Sequence, residues 1–312
     1  VMGLGERMRQ HRGESGPAGT LARVARQEAR RRVRGLGGSS GSAQLPEPSR
    51  IRPVQGGARV DARRHAAFVA AVAGEATPHA HGGFLHALTF PVSMRLMTSG
   101  RFPLGVLGLV HLRNSVRHLR PVEIGSSVRI RSSVVEFGSH RRGTTVTILA
   151  EVWDDAGKLA FRDESLYLAL GKSGGGGGDR GERPDPRDGA RRIARWRLPA
   201  STGRAYAAVS GDINPIHLST PSAKALGMKG MIAHGMYAAS RALGVAAGDA
   251  SAPGTWSVEF GAPIRLPAEV SIWRVLGAEV AMSLRGVSRS GRQHFAFEHM
   301  PDVGGDGEPE PG

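Results

Sequence analysis

Two residue types that can move protons stand five positions apart in the segment Tyr206–Ala239, YAAVSGDINPIHLSTPSAKALGMKGMIAHGMYAA: Asp212 and His217. Asn214-Pro215 between them is a capping residue followed by the residue that best tolerates a missing N–H, so a helical turn is expected to start there. Thr220-Pro221 repeats the device ahead of SAKALG, and Gly227 closes that second helix. Asp212 and His217 therefore sit on a sharply turned loop and can converge on one point. Helix-end potential disfavours protonation of His217. A neutral imidazole can accept a proton, and a nearby carboxylate can orient a water or hold a second proton.

Simpler uses of these residues are open. Ser210, Asp212 and Asn214 are all turn-formers, and a lone Asp or His in a loop usually caps a helix or faces solvent. A Ser210–His217–Asp212 triad is conceivable, but nothing resembling a nucleophile elbow surrounds Ser210. Asp212, His217 and His234 follow none of the zinc-site spacings, so no metal is expected.

The elements that must position this loop can be read from an internal echo. Around Ala70 the chain reads AAVAGEATPHA, and around Ala207 it reads AAVSGDINPIH, at an offset of 137 residues. In that register Glu75, Thr77 and Ala80 fall on Asp212, Asn214 and His217, so the first copy is expected to be catalytically silent. A second echo pairs Val110 with Val258. Each copy opens with a helical segment (Asp61–Gly74; Arg204–Gly211). A loop and an apolar helix follow, the second from about Met231 to Ala247, MIAHGMYAASRALGVAA. That helix is apolar or small nearly all round and must be buried on most sides. Four strand-like runs follow in each copy, in the second TWSVEFGAPIRL, AEVSIWRVLG, AEVAMSLRGVS and GRQHFAFEHM. The expected fold class is α+β, a double hotdog: two copies of a long buried helix, each wrapped by a curved antiparallel sheet.

The run Tyr206, Ala207, Ser210, Gly211, Asp212, Asn214, Pro215, Ile216, His217, with Ala223, Lys224, Gly227 and Ala233-His234-Gly235-Met236 downstream, resembles the MaoC-like, R-specific enoyl-thioester hydratase family. The first half, through ALTFPVSMRLMTSGRFPLGVLGLVHLRNSVRHLRPV and HRRGTTVTILAEVW, looks like that of the actinobacterial double-hotdog 3-hydroxyacyl-thioester dehydratases. The resemblance covers roughly residues 45–300. It implies that Asp212 and His217 are the acid/base pair holding the catalytic water. Asn214, Ser210 and His234 support the site, and the Gly235 amide serves as donor to the thioester carbonyl. It also implies reversible syn hydration of a trans-2-enoyl thioester to the 3R-hydroxyacyl thioester, in fatty acid metabolism. No cofactor is implied beyond the CoA or acyl carrier protein that carries the substrate. The first copy, with Met94 and Met97, would line the acyl tunnel. Arg117, Arg120, Arg141, Arg142 and Arg265 are candidates for the carrier's phosphates. Ser219 departs from the acidic residue that many hydratases place there. A hotdog thioesterase and a non-catalytic acyl-thioester-binding subunit are the alternative readings.

Composition sets the limits. The chain has 312 residues, with no cysteine and a net charge of +15 carried by 38 arginines and only four lysines. Disulfides, thiolate metal sites and a cysteine nucleophile are excluded. No apolar run is long enough for a membrane span, and no signal-type segment opens the sequence, so a cytoplasmic protein is expected. Eleven arginines face four acids in residues 1–52. No aromatic stacking residue or nucleic-acid motif accompanies them, so nucleic acid is not the expected partner. The expected organisation is an arginine-rich, largely disordered extension (1–48) with a short helix at Leu21–Val33, then a degenerate hotdog (49–170). A glycine-rich linker (171–192), the catalytic hotdog (193–300) and a disordered tail (301–312) complete it. A dimer of double-hotdog chains is the expected assembly.

Overall fold

The computed structural model describes residues 45–171 and 184–302, together with Val24. The expected disorder of the head and tail, most of the glycine-rich linker and all of the Leu21–Val33 helix except Val24 lie outside the described residues. Val24 itself is helical and buried, in one apolar cluster with Ile51, Leu96 and Met97.

The first half runs β1 (Val54–Arg59), α1 (Ala62–Ala71), α2 (Gly82–Met97), β2 (Leu109–His118), β3 (Ser127–His140), β4 (Gly143–Trp153) and β5 (Leu159–Leu170). The second runs β6 (Ala190–Leu198), α3 (Thr202–Ser210), a 3-10 turn (Pro215–His217), α4 (Thr220–Ala225), α5 (Gly235–Ala247), β7 (Gly254–Phe260), β8 (Ala268–Val275), β9 (Met282–Ser288) and β10 (Gln293–Pro301). All ten strands form one antiparallel sheet, in the order β1-β3-β4-β5-β2-β7-β10-β9-β8-β6. The halves join where β2 pairs β7, from Arg113↔Glu259 to His118↔Gly254. This is the double hotdog that the sequence leads one to expect.

The long helices lie against the inner face of the sheet. Thirteen of the sixteen residues of α2 are buried, which is why its sequence lacks an amphipathic stripe. The two helices meet where Gly83 faces Ser240. A Cβ on Gly83 would lie 2.1 Å from Ser240 Oγ and 2.7 Å from Ser240 Cβ, so only glycine permits this approach. Ser240 Oγ donates to the Met236 carbonyl (2.7 Å), which lets its hydroxyl be buried without loss.

Several expectations need correction. The second long helix begins at Gly235, not Met231, because Ile232 bridges Arg265 and the Ala233 N–H donates to the Ile264 carbonyl. Strand β6 begins at Ala190, inside the expected linker 171–192. Strands β1 and β6 were not read as strands at all. Both are edge strands, and β6 turns Arg191, Arg192, Arg195 and Arg197 to solvent, a charge pattern that hides a strand while protecting a sheet edge.

The internal echo is also re-registered. His81 and His234 are both the N-cap residues of long helices, each inside an Ala-His-Gly triplet. Two positions earlier, His79 bridges Glu123 just as Ile232 bridges Arg265. The amides of Ala80 and Ala233 donate to the carbonyls of Val122 and Ile264. Ala80 therefore corresponds to Ala233, not to His217. The first copy has no counterpart of the segment that carries the 3-10 turn and α4; it lacks the loop rather than bearing a substituted one. The second echo is not a structural equivalence either, since Val110 is 40% exposed and Val258 fully buried.

Replacing Gly83 with alanine should lower unfolding stability by about 1–3 kcal/mol through overpacking. The same change at Gly100, which has nothing within 4 Å of the new Cβ, should be far milder. Urea unfolding of the two variants checks this.

Candidate active site

The Asp212–His217 loop leaves α3 through Gly211, whose φ of +82° is a left-handed helix cap that glycine adopts without strain. Ser210 Oγ accepts from the Asp212 N–H (3.2 Å), Asp212 Oδ1 from the Asn214 N–H (3.1 Å), and Asn214 Oδ1 from the Ile216 N–H (3.3 Å). Three polar side chains at alternate positions thus spend an acceptor on the backbone and fix the turn. Ser210 is a brace of this kind, and Asn214 caps the 3-10 turn. Ser219, where an acidic residue was expected by resemblance, caps α4 through the Ser222 N–H.

His217 donates its Nδ1 proton to the Ile232 carbonyl (2.9 Å), which leaves Nε2 as the acceptor. Burial holds its pKa below the usual histidine value, while the Asp212 charge and the Ile232 carbonyl pull the other way. Desolvation, rather than the helix end invoked from sequence, is thus the main cause of its neutrality. The ring stacks on His234 at 3.7 Å between centroids and 25° between planes. His234 donates Nε2–H to the Asp212 backbone carbonyl (2.9 Å), and its pKa is depressed to about 3, mainly by burial. It supports both catalytic candidates at once: its ring face against His217, its edge against Asp212. Tyr206 lies beneath, 4.9 Å from the His234 ring.

One donor atom from each of Asp212, His217 and His234 lies within 4.8 Å of the others, close enough in distance for a metal ion. Sequence spacing alone does not foresee this grouping. The lone pairs of imidazoles lie in the ring planes, however, and two nearly parallel rings aim them side by side rather than at one ion. The arrangement suits a water held by Asp212 and His217.

Gly235 opens α5 beside this pair, where the first N–H groups of the helix are unspent on helical hydrogen bonds. A Cβ there would lie 2.8 Å from the Phe260 ring, so the site needs glycine for room. Of the arginines proposed for the carrier, all five are exposed, and Arg265 is held next to the loop by its bridge to Ile232. Met94 and Met97 are buried in the apolar cluster around α2 and act as core.

Sequence reading missed two residues that hold the loop in place. Arg64, from α1 of the first half, donates Nε–H to the Val209 carbonyl (2.7 Å) and Nη2–H to the Ser210 carbonyl (3.1 Å), closing the end of α3 just ahead of Asp212. Gly203 lets α3 approach the loop: a Cβ there would stand 2.1 Å from the His217 carbonyl oxygen. Neither residue carries a local signal, because each acts on a segment distant in sequence or on a backbone atom.

A family model for the MaoC-like domain matches residues 186–283, which contain the whole loop and the start of α5. Residues 186–283 form a MaoC-like domain. The chain is 30% identical over 190 residues to 3-hydroxyacyl-thioester dehydratase X of Mycobacterium tuberculosis, covering 60% of this chain and 66% of that relative, just under two thirds of its length. The crystal structure of that M. tuberculosis protein superposes with a TM-score of 0.69 at 26% identity, over 80% of this chain and all of the other. A MaoC-like dehydratase from Phytophthora capsici gives 0.62 at 19% identity, over 81% of this chain and 96% of the other, a likeness of fold. The MaoC-like domain here is thus joined to a first half of the same architecture that lacks its loop.

Two outcomes follow for this MaoC-like site. Histidine NMR should place the His217 titration below the ordinary 6.5, and Asp212→Asn should lower it further by removing the charge that raises it. Arg64→Leu should reduce turnover about ten- to a hundred-fold by misplacing the loop, with the near-ultraviolet circular dichroism unchanged.

Proposed function

We propose that the protein is a hydro-lyase that interconverts a trans-2-enoyl thioester and the (3R)-hydroxyacyl thioester. The observation that carries this reading is the convergence of the Asp212 carboxylate and the bare Nε2 of a neutral His217 beside the N-terminus of α5. The named activity of the M. tuberculosis relative supports the same chemistry.

In the hydration direction the pair holds one water against C3 of the substrate. The water oxygen bonds to C3 as one of its protons passes to the pair. A proton from the pair goes to C2 on the same face, so the elements of water add syn. As C3 is attacked, negative charge moves to the thioester oxygen, where the Gly235 amide at the positive end of α5 stabilises it. Acid/base groups contribute about a hundred- to ten-thousand-fold and an oxyanion donor a similar factor. The chemistry is therefore complete without a metal or organic cofactor. The thioester is carried on CoA or acyl carrier protein, with Arg265 as the arginine best placed to meet the carrier's phosphates. Among the described residues no helix is long and apolar enough to cross a membrane. The proposed setting is the cytoplasm, with the chain paired as a homodimer.

Loss of absorbance at the conjugated thioester tests the activity. Asp212→Asn and His217→Asn should each lower turnover at least about a hundred-fold. The double variant should fall little below the worse single, because both hold the same water. Losses that add on a logarithmic scale would mean two independent roles.

A further inference from the structure

The inner face of the first half is more polar than its counterpart. On β7 and β10 that face buries Trp256, Val258, Phe295 and Phe297, with His299 as its one buried histidine. On β5 the corresponding face carries Asp163, Ser165 and Tyr167, and on β2 it carries His111 and Asn114, with His111 opposite Tyr167 and Asn114 opposite Ser165. His86 of α2 reaches the sheet and donates Nδ1–H to Asp163 Oδ2 (2.5 Å). Asn114 Nδ2 (2.5 Å) and Ser165 Oγ (3.3 Å) donate to Asp163 Oδ1. The carboxylate is fully engaged, so it stands as a fixed post for this network rather than a free charge.

His111 is where the network ends and the active site begins. Its ring stacks on Tyr167 at 4.5 Å and lies 6.4 Å from that of His86, nearly parallel to both. On its other side it meets Phe260 at 5.0 Å, the same ring that closes on Gly235. The charge of Asp212 reaches both His111 and Tyr167. His111, Tyr167 and Phe260 are part-exposed, as Asp212 and Gly235 are. Burial depresses the His111 pKa to about 3, so the ring is neutral. Its Nε2 is buried without a partner. A ring nitrogen left unpaired this close to Gly235 calls for a hydrogen-bonding group from the ligand.

We propose that His111 Nε2 accepts a hydrogen bond from a hydroxyl on the acyl chain, so that the preferred substrates are enoyl thioesters hydroxylated beyond the double bond. This rests on the hydratase reading above. An all-methylene chain would leave Nε2 desolvated and unpaired, whereas a hydroxyl at the right carbon pairs it. Discrimination of this kind is stronger than a methylene more or less can supply.

The test is a series of trans-2-octenoyl-CoA substrates bearing one hydroxyl at C5, C6, C7 or C8, compared with the unsubstituted parent by kcat/KM. One position should exceed the parent by at least about five-fold, the worth of one net hydrogen bond. His111→Phe, which keeps the ring stack but removes the acceptor, should bring that ratio to about one, and His111→Gln should retain part of it. A wild-type ratio near one at every position, as expected if a bound water already pairs Nε2, overturns the inference and leaves the hydratase reading standing. A preference unchanged in His111→Phe does the same. Failure to hydrate parent and hydroxylated substrates alike overturns both.

Discussion

The closeness of α2 and α5 is the constraint on which the rest of the structure depends. Gly83 removes the side chain that would otherwise strike Ser240, and the two helices then lie together inside one continuous sheet. This contact sets the N-terminus of α5 against the strands of the other half, with Phe260 bridging Gly235 to His111. A helix dipole aimed at the junction between the two halves of the sheet provides a site for developing negative charge only if the halves stay in register. The β2–β7 pairing and the glycine contact maintain that register together.

Around this frame the Asp212–His217 loop is held by hydrogen bonds to the backbone. Ser210, Asp212 and Asn214 each turn an oxygen back on the chain, His217 is anchored to Ile232, and His234 to the Asp212 carbonyl. The result balances two opposed effects on His217. Burial favours the neutral ring, and the neighbouring carboxylate favours the charged one; burial is the larger. The neutral ring is thus favoured, beside a carboxylate that would stabilise the charged one.

The two halves differ by one segment. Both retain the buried Ala-His-Gly turn at the start of the long helix, but only the second keeps the segment between Gly211 and Met231. The first half contributes in other ways: Arg64 closes the end of α3, and the paired strands β2 and β5 carry the buried polar residues Asn114, Asp163 and Ser165. The first half thus packs directly against the end of the helix that leads into the Asp212–His217 loop.

The sequence by itself determined the fold class, the long buried helices, most of the strands and the Asp212–His217 loop. These depend on local turn chemistry and on periodicity, which short segments carry in full. It misplaced the start of α5, because a run that reads as helix is pulled into extended form by Arg265 and Ile264. It hid β1 and β6, whose identity as edge strands comes from the neighbours they pair with. It set Ala80 against His217, because two copies aligned along the chain do not reveal where a loop was removed. Only the tertiary structure decided the roles of Arg64, Gly203 and Phe260. Each acts across a large sequence separation or through a backbone atom, and such contacts exist only once the sheet has closed around its helices.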